Sequence, residues 1–302
     1  MGSKKQPLPF QIAKISHNIT KALIDAPQNE DFKFSLLALS DTHIDSGKSD
    51  HDLFHNFCDQ ALEAKAGIFI NGDFYDAMAG PDDRRNARST LRSEISRKKY
   101  FDDIIHLGTK LLHPYRYNLI SIGQGNHEVS VLNHYGTDLI ERTVGIMSER
   151  GSSVTNGHYS GWLDMKFVPS NKGHQVLRIF YHHGSGYSSM SKAKESCGEM
   201  PDADVSLFGH THRHWLERLN RKRRTSTGIY DDEQLILGVP GLKDDTIDDG
   251  IVRKKGVYGS KSGEWATEKG IRSKPLGAWW IDFTWSRYYR RYIFAAREAM
   301  PI

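Results

Sequence analysis

The chain has 302 residues, 38% hydrophobic and 26% charged, a balance that allows a buried core and excludes bulk disorder. A net charge of +4 is ordinary and says only that an anion would not be repelled. No apolar run approaches the ~20 residues needed to cross a bilayer, and two cysteines, Cys58 and Cys197, make no disulfide framework, so a cytoplasmic protein without a membrane partner is expected.

In chain order, the N-terminal MGSKKQPLPF lacks the apolar stretch of a secretory signal. Phe34–Ser40 (FSLLALS) is a continuous apolar run of strand length, suited to a strand buried on both faces, and it ends in Asp41-Thr42-His43. The spacing of Leu53, Phe54, Phe57, Ala61 and Leu62 predicts a helix over 52–65. A second buried strand, Gly67–Asn71, runs into Gly72-Asp73; a helix is expected over 91–113. Leu119–Ile122 is a third strand, ending in Gly123-Gln-Gly-Asn-His-Glu128, with another helix near 134–149. This alternation predicts βαβ units and a mostly parallel sheet.

The second half changes character. Tyr159–Val168, Gln175–Tyr181, Val205–Phe208, Trp215–Asn220 and Gln234–Leu237 are short strand-like runs with polar breaks between them. A polar stretch over 243–275 precedes Ala278–Thr284 and Tyr288–Phe294, which pattern as a hairpin. The expected fold class is α/β, a four-layer α/β/β/α sandwich of two mixed sheets flanked by helices. One domain over 1–302 is expected, with a motif core at 34–242, a polar insertion at 243–275 and a C-terminal strand pair at 277–297.

Each strong polar cluster lies just past the end of a predicted buried strand, where ligand sites form in open α/β sheets. The clusters are Asp41-Thr-His43, Gly72-Asp73-Phe-Tyr-Asp76, Gly125-Asn126-His127-Glu128, His182-His183-Gly184 and Gly209-His210-Thr211-His212. Asp, Asn and His offer hard oxygens and borderline imidazole nitrogens, which suit Mn, Fe, Zn or Ni. Taken singly, an Asp-x-His or a Gly-Asp is commonly a cap or a turn. Five in order, each at a strand end, are hard to produce by chance.

DxH, GDxxD, GNHE, HG and GHTH in this order resemble the signature of the calcineurin-like metallophosphoesterases, over roughly residues 34–242. The resemblance implies a four-layer α/β/β/α fold with two divalent metals, Mn first and Fe, Zn, Ni or Mg as alternatives. Carried over residue by residue, Asp41, His43 and His212 would hold one ion, Asp73 would bridge both, and Asn126, His183 and His210 would complete the second. His183 is chosen over His182 because the family ligand usually precedes the glycine directly. His127 matches the histidine near the scissile phosphate, and Asp76 the carboxylate that orients it. The implied mechanism is in-line attack by a hydroxide shared between the metals, with His127 assisting.

The chain also departs from subgroups of that family. Ala77 and Met78 stand where the protein Ser/Thr phosphatases have Arg-Gly, and His127 stands where the lipid A pathway hydrolases typically carry Arg. Two basic segments stand outside the motifs: Arg84, Arg85, Arg88, Arg92, Arg97, Lys98 and Lys99 in the first, Arg221-Lys222-Arg223-Arg224 in the second. Runs of this kind are usually solvated faces, but they tilt the expected substrate toward a phosphodiester in a nucleotide or nucleic acid. The expectation is a metal-dependent phosphoester hydrolase of phosphodiesterase or nuclease-like activity. The alternatives are a small-molecule phosphomonoesterase and, from another class, a catalytically silent metal-binding scaffold.

Overall fold

The computed structural model describes residues 8–80, 91–169, 174–184, 202–224, 228–244 and 274–302, together with Ser191 and Glu195. Thirteen strands are described, in two sheets. The six-stranded sheet runs β13-β12-β3-β4-β5-β6 and contains β3 (Lys33–Leu39), β4 (Gly67–Ile70), β5 (Leu119–Gly123), β6 (Thr155–His158), β12 (Trp279–Ser286) and β13 (Arg291–Glu298). Its β3–β4–β5–β6 portion is parallel, and β12 joins β3 antiparallel. The seven-stranded sheet runs β1-β2-β7-β8-β9-β11-β10, from β1 (Phe10–Ser16), β2 (Ile19–Asp25), β7 (Ser160–Val168), β8 (Gln175–His182), β9 (Val205–Phe208), β10 (Trp215–Arg224) and β11 (Ile229–Gly238).

The apolar run in β3 is continuous because its two faces meet different layers. Leu37 and Leu39 pack with the helices, beside Phe54, Phe57, Ile104 and Met147. Phe34, Leu36 and Ala38 face the other sheet, with Met165, Phe167, Ile179 and Leu237. Helices α1 (His51–Glu63), α2 (Tyr100–Leu112), α3 (Asn126–Tyr135) and α4 (Leu139–Glu149) all join the first of these cores. On the far face of the seven-stranded sheet lies a smaller cluster of Phe180, Phe208 and Ile236. Between Gly184 and Asp202 the described residues are Ser191 and Glu195, both helical. No helix among the described residues is long and apolar enough to cross a membrane.

Some boundaries differ from expectation, for local reasons. The helix expected over 91–113 starts only at Tyr100. Arg92 donates to the carbonyls of Ile44 (3.0 Å) and Ser49 (2.8 Å), and Leu91 pairs with Ser46, so residues 91–92 are tied to the loop after β3 instead. The helix expected near 134–149 is α4, preceded by a separate α3. Gly136, at φ 67°, ends α3, and the Asp138 carboxylate caps α4 by accepting the Glu141 amide at 2.9 Å. The β1–β2 hairpin was not predicted.

Phe167 is a fair gauge of the inter-sheet core: fully buried, stacked on Tyr292 at 4.7 Å and tilted against Phe283 at 5.4 Å. Phe167→Ala is expected to remove about 3–5 kcal/mol of stability. Urea unfolding monitored by circular dichroism would measure it; a loss below 1 kcal/mol would mean the sheets do not pack as described.

Candidate metal centre

Five of the expected ligands hold a backbone conformation that side chains other than glycine rarely adopt: Asp41 (φ 50°), His43 (46°), Asp73 (45°), His210 (67°) and His212 (50°). Each such residue costs roughly 1–3 kcal/mol and persists only where its surroundings fix it. Here the fixing contacts are visible. The amides of Asp41 and His43 donate to the carbonyls of Gly72 and Asp73, both at 3.0 Å, so the loops after β3 and β4 hold one another. Glu128, buried at the start of α3, accepts the amides of Gly125 (2.8 Å), Tyr75 (2.8 Å) and Asp73 (3.2 Å). Burial first, and then the neighbouring Asp73, push the Glu128 carboxyl up to about 8. Asp45 accepts the amides of Asp76 (2.6 Å) and Ala77 (3.0 Å) and the hydroxyl of Tyr100 (2.7 Å).

Space at the turn is equally constrained. A methyl group on Gly125 would lie 2.0 Å from Asp73 Oδ1, and one on Gly72, itself at φ 78°, would lie 2.6 Å from His183 Nδ1. Only glycine lets these loops approach so closely.

Three groups of side chains result, each with ligand atoms within 4.8 Å of one another: Asp41, His43 and His212; Asp73, His183 and His210; and His43, Asp76 and His127. In the first, His212 Nε2 lies 3.2 Å from Asp41 Oδ1 and 3.4 Å from His43 Nε2. In the second, His183 Nε2 lies 3.1 Å from Asp73 Oδ2, while Asn126 Oδ1 faces His210 Nδ1 at 2.6 Å and His183 Nε2 at 3.3 Å. His183 Nδ1 donates to the Asn71 carbonyl at 2.8 Å, which turns Nε2 toward the carboxylates. His182 does not point there; its Nδ1 accepts the Gly184 amide at 2.8 Å.

These residues fit a cation. Asp41 is fully buried, and its Oδ1 makes no hydrogen bond of good geometry among the described residues, although the His212 and His183 imidazoles lie 3.2 Å and 3.9 Å from it. A buried carboxylate is costly unless positive charge meets it, and a cation held among these donors would supply that charge. His183 shows the same demand. Burial alone would lower its pKa, but Asp73 and Asp41 push it up to about 10. Burial would raise Asp41, but His212 and His183 hold it down at about 2. Oxygen and imidazole donors in groups of this size suit first-row divalent ions.

Among comparisons with known proteins, no family model matches the chain, and no curated protein matches it. Solved structures it is similar to include Vps29 complexed with zinc from Entamoeba histolytica, at 9% identity over 87% of this chain and 98% of that one, with a TM-score of 0.32. The calcineurin-like phosphoesterase YfkN from Bacillus subtilis matches at 15% identity over 88% and 90%, with a TM-score of 0.35. GAP50, the anchor in the inner membrane complex of Plasmodium, matches at 12% over 83% and 81%, with a TM-score of 0.37. Likeness this distant assigns neither activity nor substrate. Motif order and two-sheet architecture resemble the calcineurin-like phosphoesterases.

Against the calcineurin-like pattern, Asp76 behaves differently from the expectation. His127 Nδ1 donates to the Asp76 backbone carbonyl, while the Asp76 carboxylate is 3.9 Å from that nitrogen. The carboxylate instead meets His43 Nδ1 at 3.2 Å and Lys243 Nζ at 2.7 Å. Those neighbours hold its pKa well down against burial, which would raise it. A carboxylate behind a metal-facing imidazole is the usual support for a histidine ligand. Asp76 therefore backs His43, and His127 is oriented by main chain.

The basic segments are only partly visible. Arg84, Arg85 and Arg88 lie outside the described residues, as do the Arg97 side chain, Cys197 and most of the polar insertion. Arg221 pairs with Asp204 (2.9 Å) and Asp232 (3.0 Å), Arg223 with the same two carboxylates, and Lys222 with Asp231. Most of that charge is matched across the β10–β11 ladder rather than presented to a ligand.

Proposed function

We propose that the chain is a metal-dependent phosphoester hydrolase that works with two divalent ions, leaning to phosphodiesters. The observation that carries this is the pair of adjoining buried donor groups, Asp41–His43–His212 and Asp73–His183–His210 with Asn126, in which two carboxylates and four imidazoles face one another. When bound, the ions would supply an activated water and neutralise charge on the phosphoryl oxygens.

The residues divide the remaining work. Asp41, His43 and His212 would hold one ion and Asn126, His183 and His210 the other, with Asp73 available to both. His127, with Nδ1 committed to a carbonyl, has Nε2 left to face the substrate, where it can donate to a phosphoryl oxygen or the leaving oxygen. The lean to diesters draws support from a cavity of about 380 Å³ lined by Lys98, Lys99, Phe101, Tyr135 and Arg142 among others. Tyr100, which also lines it, donates to Asp45 in the loop after β3. Cations interleaved with aromatic rings suit a nucleic-acid strand, although Arg142 already pairs with Asp102 at 2.6 Å.

The test is hydrolysis of bis-p-nitrophenyl phosphate by chelator-treated protein, before and after Mn²⁺ is returned, beside p-nitrophenyl phosphate. Turnover is expected only with metal, and faster on the diester. A preference for the monoester would replace the diester lean. Two bound ions without hydrolysis of any phosphoester would favour the scaffold reading.

A further inference from the structure

Lys243 is a half-buried cation that the motifs do not announce. Its backbone is fixed beside the loop after β3: it bridges to Ser49, and the preceding Leu242 amide donates to the Asp41 carbonyl at 3.1 Å. Its side chain is only 9% exposed, and Nζ lies 2.7 Å from Asp76 Oδ1. That same oxygen is 3.2 Å from His43 Nδ1 and 3.9 Å from His127 Nδ1.

Asp76 thus presents a problem of charge. Its carboxylate supports His43, yet a full negative charge there stands beside His127, where an anionic substrate must arrive. The oxygen that holds His43 would repel the phosphoryl group. We propose that Lys243 acts on substrate binding by cancelling the charge of Asp76, so that the carboxylate can support His43 without repelling the anion. This rests on the two-ion hydrolase reading. It makes Lys243 a residue that acts through Asp76, and it needs no direct contact with substrate.

The sign of the effect separates this role from simple scaffolding. Removing Lys243 uncovers a negative charge, which weakens binding of an anion but does not weaken binding of a dication. For a unit charge ~10 Å from the phosphoryl group at an effective dielectric near 20, the change is about 15-fold.

The experiment compares Lys243→Met, Asp76→Asn and the double variant, with Mn²⁺ affinity from calorimetry on metal-free protein and KM on bis-p-nitrophenyl phosphate. Lys243→Met is expected to raise KM about 15-fold with Mn²⁺ affinity unchanged or tighter. Because Asp76→Asn also removes the support of His43, the double variant is measured at Mn²⁺ that saturates its own measured affinity, where adding Asp76→Asn should bring KM back toward wild type, because the uncovered charge is gone. A KM that stays raised in the double variant overturns the proposal in favour of direct contact. Unchanged KM in Lys243→Met, or weakened Mn²⁺ binding there, overturns it in favour of a structural ion pair. Wild-type protein that binds no metal or turns over no ester would instead sink the hydrolase reading.

Discussion

Asp73→Asn should abolish hydrolysis and weaken Mn²⁺ binding by more than roughly 100-fold, since even partners one step removed from a metal are worth 10–100-fold in affinity. The reason is local. Asp73 is buried, lies 3.1 Å from His183 Nε2, and accepts the His127 amide at 3.0 Å on its other oxygen. Asparagine keeps the shape and the acceptor for that amide while removing the charge. The loops after β4 and β5 should therefore keep their form, and circular dichroism should show a folded protein. Calorimetry would then read the missing ion directly. Wild-type Mn²⁺ affinity in this variant would refute a bridging role for Asp73.

His127→Ala is expected to give the opposite pattern: kcat lower by roughly 10²–10⁴-fold, the range for a positioned proton donor, with both ions still bound. The His127 amide, which the substitution leaves in place, holds Asp73, while its ring meets the Asp76 carbonyl, lies edge-on to His43 at 4.8 Å and brings Nε2 to 3.8 Å from Asp73 Oδ2. Single-turnover kinetics on bis-p-nitrophenyl phosphate, with bound manganese measured alongside, would separate the two variants. If His127→Ala lost metal as Asp73→Asn does, its assigned part in the chemistry would have to be withdrawn.

The donor set was legible because metal ligands leave a dense local signature. A run such as FSLLALS ending in Asp41-Thr-His43 carries both the buried strand and the side chains at its tip. The carboxylates that hold the loops were not legible in the same way. Asp45 looks like any acidic residue in sequence, and Glu128, although it closes the GNHE motif, receives no role there; the work of both depends on which amides come within reach once the loops after β3, β4 and β5 are side by side. Lys243 lies about 200 residues from Asp41 in the chain and meets Asp76 only because β11 returns its C-terminal end to the loop after β3. Periodicity also missed β1 and β2, where the exposed Lys14, the buried polar Thr20 and the half-buried Lys21 blur the apolar alternation. The basic run at 221–224 reads as a surface for polyanions because its acidic partners are distant in sequence: Asp231 and Asp232 on the paired β11, and Asp204 just before β9. The role of Asp76 toward His127 rests on a carbonyl, and main-chain acceptors have no letter in a sequence.

The donors are divided between the two sheets: Asp41, Asp73 and Asn126 follow β3, β4 and β5, while His183, His210 and His212 follow β8 and β9. On the proposed reading, each ion is then a rivet through both layers of the sandwich. Its grip is a quantity the surroundings set, because a ligand that binds only the folded state adds stability as its free concentration rises, about 2.7 kcal/mol at a hundred times its dissociation constant. The seam between the sheets would loosen where free metal is scarce and tighten where it is plentiful. The pool of available ions would thus govern how long the folded chain survives as well as whether it reacts.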